Sequence, residues 1–101
     1  MTGHLLNLVM ADGSRHFGDL PQTADWYQVL DHAGRLAGAD LTGFVTDHVT
    51  EAWIDFTYQG QRFSINDQFG DYWFFVDNPA CPESILWEVL AHFGGLLQRG
   101  A

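Results

Sequence analysis

The single cysteine is the first residue whose type and position suggest chemistry. Cys81 stands directly before Pro82, and proline favours the first position of a helix, so we expect Cys81 at the helix N-cap. The positive end of a helix lowers a thiol pKa, and a thiolate is a nucleophile. Nucleophilic catalysis also needs a base, and His92, further along the same expected helix, lies roughly 16 Å away. The spacing favours a structural cysteine, with a small ligand-binding protein that uses carboxylates or Cys81 as a less favoured alternative.

Metal ligands and paired carboxylates are the next candidates, and their spacing argues against a site. No two of the five histidines lie within eight residues of each other, whereas zinc ligands often recur at short spacing. Asn66, Asp67 and Asp71 cluster around one predicted loop with Gly70, but the alternating acidic pattern of a calcium loop is absent. Asp47 and Asp55, on neighbouring predicted strands, point to opposite faces or lie diagonally, which gives weak support for an acid–base pair. We predict no catalytic, cofactor-binding or metal-binding residue and expect a non-enzymatic protein.

The charge balance limits the classes of partner. Thirteen Asp and Glu residues stand against four arginines and no lysine, so the formal net charge is −9. Nucleic acids and anionic membrane surfaces require basic groups that this chain lacks, so we expect neither as a partner. Complementary charge favours a basic protein partner, although the charge could serve only to keep an aromatic-rich domain in solution. The first residues lack the basic segment of a signal peptide, and a lone cysteine fits a reducing, cytoplasmic setting.

Hydrophobic periodicity and turn residues predict the elements that must position these side chains. Thr23 is the expected N-cap of a first helix that ends near Gly38. Strands are expected at residues 5–10, 15–17, 44–49, 52–58, 61–66 and 72–76, and helices at about 24–37 and 82–97. The strand at 72–76 is apolar on both faces, which is typical of a central strand.

The turn at residues 59–60 predicts one strand register directly. A two-residue Gln-Gly turn places Phe56 opposite Phe63 and Trp53 opposite Asn66. This register collects the apolar residues on one face, and a slip of one residue would destroy the separation.

The other two predicted turns give less consistent registers. A turn at residues 12–13 places Leu8 opposite Phe17. A turn at residues 50–51 places Asp47 on the same side as the apolar residues of the next strand, which argues against that register.

A second group of aromatic residues lies on the sheet face away from the apolar one. Trp53, Trp73 and Phe75 share this face with acidic residues, a combination typical of an interface. The N-terminal hairpin, a second copy of the chain or a different protein are three alternatives for what covers it. The predicted partner-binding residues are Trp53, Asp55, Asp67, Asp71, Trp73, Phe75 and Asp77.

These elements predict a single α+β domain over residues 1–101, with an antiparallel sheet of four to six strands and two helices packed on one of its faces. In size, acidity and its amphipathic last helix the chain resembles, in composition only, small bacterial binding proteins such as toxin-neutralising immunity proteins and secretion chaperones. We therefore predict a non-catalytic domain that binds a basic protein. A self-associating structural domain, most simply a homodimer, is the alternative.

Overall fold

The computed structural model describes residues 5–46, 52–67 and 70–97, and these form an α+β fold, which confirms the predicted fold class. One antiparallel sheet contains six strands in the spatial order β1-β2-β6-β5-β4-β3. In chain order the elements are β1 (Leu8–Val9), β2 (Arg15–Pro21), α1 (Trp26–Gly34), β3 (Asp40–Thr46), β4 (Ala52–Tyr58), β5 (Gln61–Asn66), β6 (Asp71–Val76) and α2 (Glu83–Gly94). Within the described residues, neither helix has the length and apolar character needed to cross a membrane.

The β4–β5 hairpin has the predicted register. Gln59 and Gly60 form its turn with φ angles of +53° and +76°, a left-handed conformation that matches the twist of paired strands. Phe56 pairs with Phe63 as expected, and the same register continues along the whole hairpin. Alternate residues of each strand therefore face the core, and the residues between them face the other side of the sheet.

The first hairpin is one residue away from its predicted register, so that prediction was wrong. Leu8 pairs with His16 and not with Phe17. The strand β1 is also much shorter than the predicted strand at 5–10.

A loop longer than the predicted turn causes this shift. The Met10 N–H donates to the Ser14 carbonyl at 2.7 Å, which leaves three residues between them where two were expected. Gly13 closes the loop with a φ of +91°, which glycine adopts at low cost. The Asp12 carboxylate accepts hydrogen bonds from both the N–H and the hydroxyl of Ser14, at 2.9 and 2.7 Å, and this fixes the loop.

Strand β2 pairs with β6, which places β6 in the interior of the sheet as its apolar sequence predicted. The register shifts between His16 and Gly18, so Phe17 is an extra residue in a β-bulge. Phe17 is fully buried, and its ring centroid lies 6.2 Å from that of Phe74. A Cβ on Gly18 would lie 2.7 Å from a methyl carbon of Leu90, so glycine allows α2 to approach this strand closely.

The third strand differs from the prediction in both start and register. It begins at Asp40, before the predicted start at residue 44, and pairs Phe44 with Ile54. The register from a turn at residues 50–51, which put Asp47 on the same side as Ile54, was wrong, because the observed pairing matches two apolar residues. Asp47 and the predicted turn at residues 50–51 lie outside the described residues.

Both helices are shorter than predicted. Helix α1 begins after Asp25, and not after Thr23, because Asp25 and Gln28 form a capping box in which each side chain binds the other's backbone N–H. The helix ends early because the N–H groups of Arg35 and Leu36 bind carbonyls three residues back, which makes tighter turns than an α-helix. Gly38, with a φ of +89°, then reverses the chain direction. Helix α2 has Pro82 at its N-cap, so the expectation that Cys81 occupies this position was wrong.

The core joins both helices to the buried face of the sheet. Phe93 of α2 is fully buried, and its ring lies 5.8 Å from that of Phe56 and 5.2 Å from that of Phe74. Trp26 of α1 packs edge-on against Tyr72 at 4.9 Å. The three sheet residues in these contacts alternate with the half-buried residues of β4 and β6, so they share one face of the sheet.

A histidine pair joins the two helices to each other. His32 and His92 stack with ring centroids 4.0 Å apart and an interplanar angle of 18°. Each Nε2 lies 2.7 Å from the other residue's backbone carbonyl oxygen. Because a carbonyl only accepts, both Nε2 atoms donate, and the pair forms two reciprocal hydrogen bonds.

Candidate functional site

The side of the sheet away from the buried aromatic core carries the candidate site. We give the name Trp face to a group of six residues on this side of β4, β5 and β6. Asn66 pairs with Trp53 on one side and with Trp73 on the other, so an amide lies between two indoles in one row across three strands. In the next row, Ser64 lies between Asp55 and Phe75. The Trp face comprises Trp53, Asp55, Ser64, Asn66, Trp73 and Phe75.

A cavity of about 350 Å³ opens on the Trp face. Both indoles and the amide of the first row line it, together with Ser64 and Phe75. The loop of the first hairpin adds Met10, Asp12 and Ser14, and the residue after β6 adds Asp77. This volume lies near the lower end of the range, roughly 300–1,000 Å³, that is typical of ligand pockets.

Three aromatic rings form the apolar walls of the cavity. The Phe75 ring centroid lies 6.4 Å from that of Trp53 and 6.3 Å from that of Trp73, with the rings tilted. All three side chains are partly buried. His16, which pairs with Phe75 across β2 and β6, stacks on Trp73 at 4.3 Å and 13°, so β2 extends this side of the sheet beside the cavity and does not cover it. The first hairpin therefore contributes to the site and does not seal it.

Asn66 is the most unusual polar residue in the cavity. Its side chain is only 2% exposed, and its Oδ1 accepts no hydrogen bond from any residue that the structure describes. A buried acceptor without a donor is costly, and native proteins contain few of them. A donor supplied by a bound molecule would remove that cost.

The carboxylates around the cavity make it an acceptor-rich, negatively charged site. The hydrogen bonds from Ser14 hold the pKa of the Asp12 carboxyl below its ordinary value, because they stabilise the ionised form. Asp77 is exposed, and its backbone N–H donates to the Arg62 carbonyl. The Ser64 hydroxyl donates to Asp55 at 2.7 Å, so this carboxylate is held within the Trp face beside the cavity.

The predicted partner-binding residues divide into two groups. Trp53, Trp73, Phe75 and Asp77 line the cavity, and Asp55 is adjacent. The other two predicted residues, Asp67 and Asp71, do not line it.

The structure gives Asp67 a different contact. Its carboxylate accepts hydrogen bonds from Trp26 Nε1 at 2.8 Å and from Gln22 Nε2 at 3.2 Å, so it connects its loop to the beginning of α1. Asp71 begins β6 and pairs with Pro21.

Sequence reasoning missed five lining residues, including Ser64, which the correct β4–β5 register places opposite Asp55. Three of them, Met10, Asp12 and Ser14, approach the cavity through a loop whose register was predicted incorrectly. Asn66 could have been predicted as a site residue, because the correct β4–β5 register already placed it opposite Trp53.

The other candidate groups do not form a second site among the residues that the structure describes. Cys81 is 3% exposed, and burial raises its thiol pKa although the Arg15 charge acts in the opposite direction, so an activated thiolate is not supported. In the described ranges, no three His, Cys, Asp or Glu side chains come together to hold a metal ion. His4 and His48 lie outside these ranges.

Comparison with protein-family models, with curated proteins and with solved structures finds no match to this chain, so its function must be argued from the geometry of its own site.

Proposed function

We propose that the chain is a non-catalytic domain that binds a basic protein partner through the Trp face. The observation that carries this proposal is the open cavity between Trp53 and Trp73, which also contains the exposed carboxylates of Asp12 and Asp77. Aromatic side chains are the residues that contribute most to binding energy at protein interfaces. Because a cation is attracted to the face of an aromatic ring, the same walls favour a basic side chain.

The long-range field acts in the same direction. A net charge of −9 steers positively charged proteins towards the domain and repels acidic ones. Since most of this attraction acts between solvated charges, the rate of association should fall as salt screens it.

Self-association through the Trp face is the alternative, and the charges oppose it. A symmetric dimer on this face would bring Asp12 and Asp77 of one copy near the same carboxylates of the other, and like charges at an interface are unfavourable. Sedimentation at high protein concentration separates the two proposals, because only the dimer predicts a doubled mass.

A basic peptide of alternating glycine and arginine is a direct probe of the proposed function. We expect it to bind with an affinity that falls at high salt, while the matching glutamate peptide does not bind. Trp53→Ala should lower the affinity about tenfold or more, as expected for an aromatic residue at the centre of an interface. Trp87→Ala, on α2 and outside the cavity, is the matched control.

A charge-neutral substitution tests the acidic part of the site. Asp77→Asn should weaken peptide binding several-fold at low salt and less at high salt, because the lost attraction is screened. Asp31→Asn is the control, since this exposed residue of α1 pairs with Arg35 and does not line the cavity. Equal effects of the two substitutions, or the absence of salt-sensitive binding, would contradict the proposal. The proposal places this binding in the cytoplasm, where the lone Cys81 would stay reduced.

A further inference from the structure

We infer that the cavity on the Trp face accommodates a single arginine side chain of the partner, with its guanidinium group donating a hydrogen bond to Asn66 Oδ1. This inference rests on the proposed function, and it specifies which chemical group of the basic partner enters the site. It follows from the hydrogen-bonding roles of the lining atoms and from the shape of the walls.

The oxygen atoms of the lining offer lone pairs and no hydrogens. The hydroxyls of Ser14 and Ser64 already donate their hydrogens to carboxylates, at 2.7 Å in each case. Asp12 and Asp77 are acceptors when ionised, and Asn66 Oδ1 accepts no bond within the described residues. An occupant that satisfies these oxygen atoms must therefore carry several donors.

The buried position of Asn66 selects among cations. A quaternary ammonium group suits an aromatic cage but has no N–H to offer the Oδ1 atom. A lysine ammonium has three donors on one compact, strongly hydrated centre. An arginine guanidinium has five donors in one plane and needs no acceptor, so it satisfies lone pairs that lie in different directions.

The aromatic walls match the same group. Trp53 and Trp73 lie on either side of Asn66, so a planar group that enters between them to reach Oδ1 passes the indole rings. A guanidinium stacks on aromatic rings and loses less hydration than an ammonium when it does so. The small volume of about 350 Å³ suits one long side chain and not a folded segment.

The inference is tested with three peptides that differ at one central residue, which is arginine, lysine or citrulline, and that share the same basic flanking residues. We expect the arginine peptide to bind about tenfold or more tightly than the citrulline peptide and several-fold more tightly than the lysine peptide, measured by titration of tryptophan fluorescence. Equal affinity for arginine and citrulline would overturn the inference. If all three peptides bound equally and the affinity fell at high salt, the proposed function would stand and the arginine inference would fail. If none bound, both would fail.

Asn66→Leu isolates the proposed hydrogen bond. It removes the acceptor with little change in volume, so we expect about a tenfold loss of affinity for the arginine peptide. Thr57→Val is the matched control, because it removes a hydroxyl from a residue next to the Trp face and outside the cavity. An unchanged arginine affinity in folded Asn66→Leu protein would contradict the inference.

A measurement on the unaltered protein keeps the test valid if Asn66→Leu fails to fold. In the complex with the arginine peptide, nuclear Overhauser effects should connect the arginine side-chain protons with the indole protons of Trp53 and Trp73. Their absence in a saturated complex would overturn the inference.

Discussion

Replacing His32 or His92 with alanine should weaken the connection between the two helices by a predictable amount. Each substitution removes one neutral hydrogen bond, worth about 1 kcal/mol, and the ring stack, worth about 0.5–1.5 kcal/mol. Alanine favours the helix by about 0.5 kcal/mol more than histidine does, which offsets part of the loss at each position. Each single variant should therefore lose about 1–2 kcal/mol of unfolding free energy.

The double variant distinguishes the stack from the hydrogen bonds. His32→Ala with His92→Ala loses both hydrogen bonds but the stack only once, so the expected loss is about 1.5–2.5 kcal/mol. The two single losses together exceed this value by the energy of the stack, and the helix-propensity contribution cancels in the comparison. Urea unfolding at pH 8, followed by tryptophan fluorescence, measures all four proteins. Additive losses would refute the coupling, and single losses within experimental error of zero would refute the role of the pair.

Three further predictions concern His16, the bulge in β2 and the β4–β5 turn. Burial lowers the pKa of His16 despite the opposing effect of the Asp19 carboxylate, so an NMR titration should give a His16 pKa below 6.5. The free energy of unfolding should then fall as the pH decreases from about 6.5 through the pKa of the folded state. A His16 pKa at or above the ordinary value would contradict this prediction. Gly18→Ala should cost about 1–3 kcal/mol because its Cβ meets Leu90, and combination with Leu90→Ala should cost less than the two changes separately in thermal unfolding. Gln59→Asn should stabilise the protein by about 0.5 kcal/mol, since asparagine tolerates a φ of +53° better than glutamine, whereas Gly60→Ala should destabilise it by about 1 kcal/mol, as chemical denaturation can show.

Local sequence rules predicted the hairpin between β4 and β5 because its turn and its hydrophobic pattern specify the same register. Residues 59–60 fix the pairing, and a slip would bury polar residues. The first hairpin lacked this redundancy. Its strand β1 is only two residues long and exposed, so burial did not select a register, and the hydrogen bonds of Asp12 determined the loop.

The candidate site was predictable to the extent that it depends on those local rules. Trp53 and Asn66 could be placed beside each other from the hairpin alone. The contact of Asp67 with Trp26 joins residues 41 apart in the chain, and no periodicity or turn signal predicts such a pairing. The same limit applies to Asp12, whose approach to the cavity depends on the pairing of β2, the second strand of the first hairpin, with β6.

The pairing of β2 with β6 also determines when the cavity can exist. These strands are separated in the chain by α1, β3, β4 and β5, so their union is a non-local contact that carries a high entropic cost of loop closure. Because β6 supplies one wall and the first hairpin another, a nascent chain that has not yet emerged from the ribosome as far as β6 has no cavity. The cavity is therefore a property of the completed sheet, and a molecule bound in it would stabilise the native state over any partly folded one.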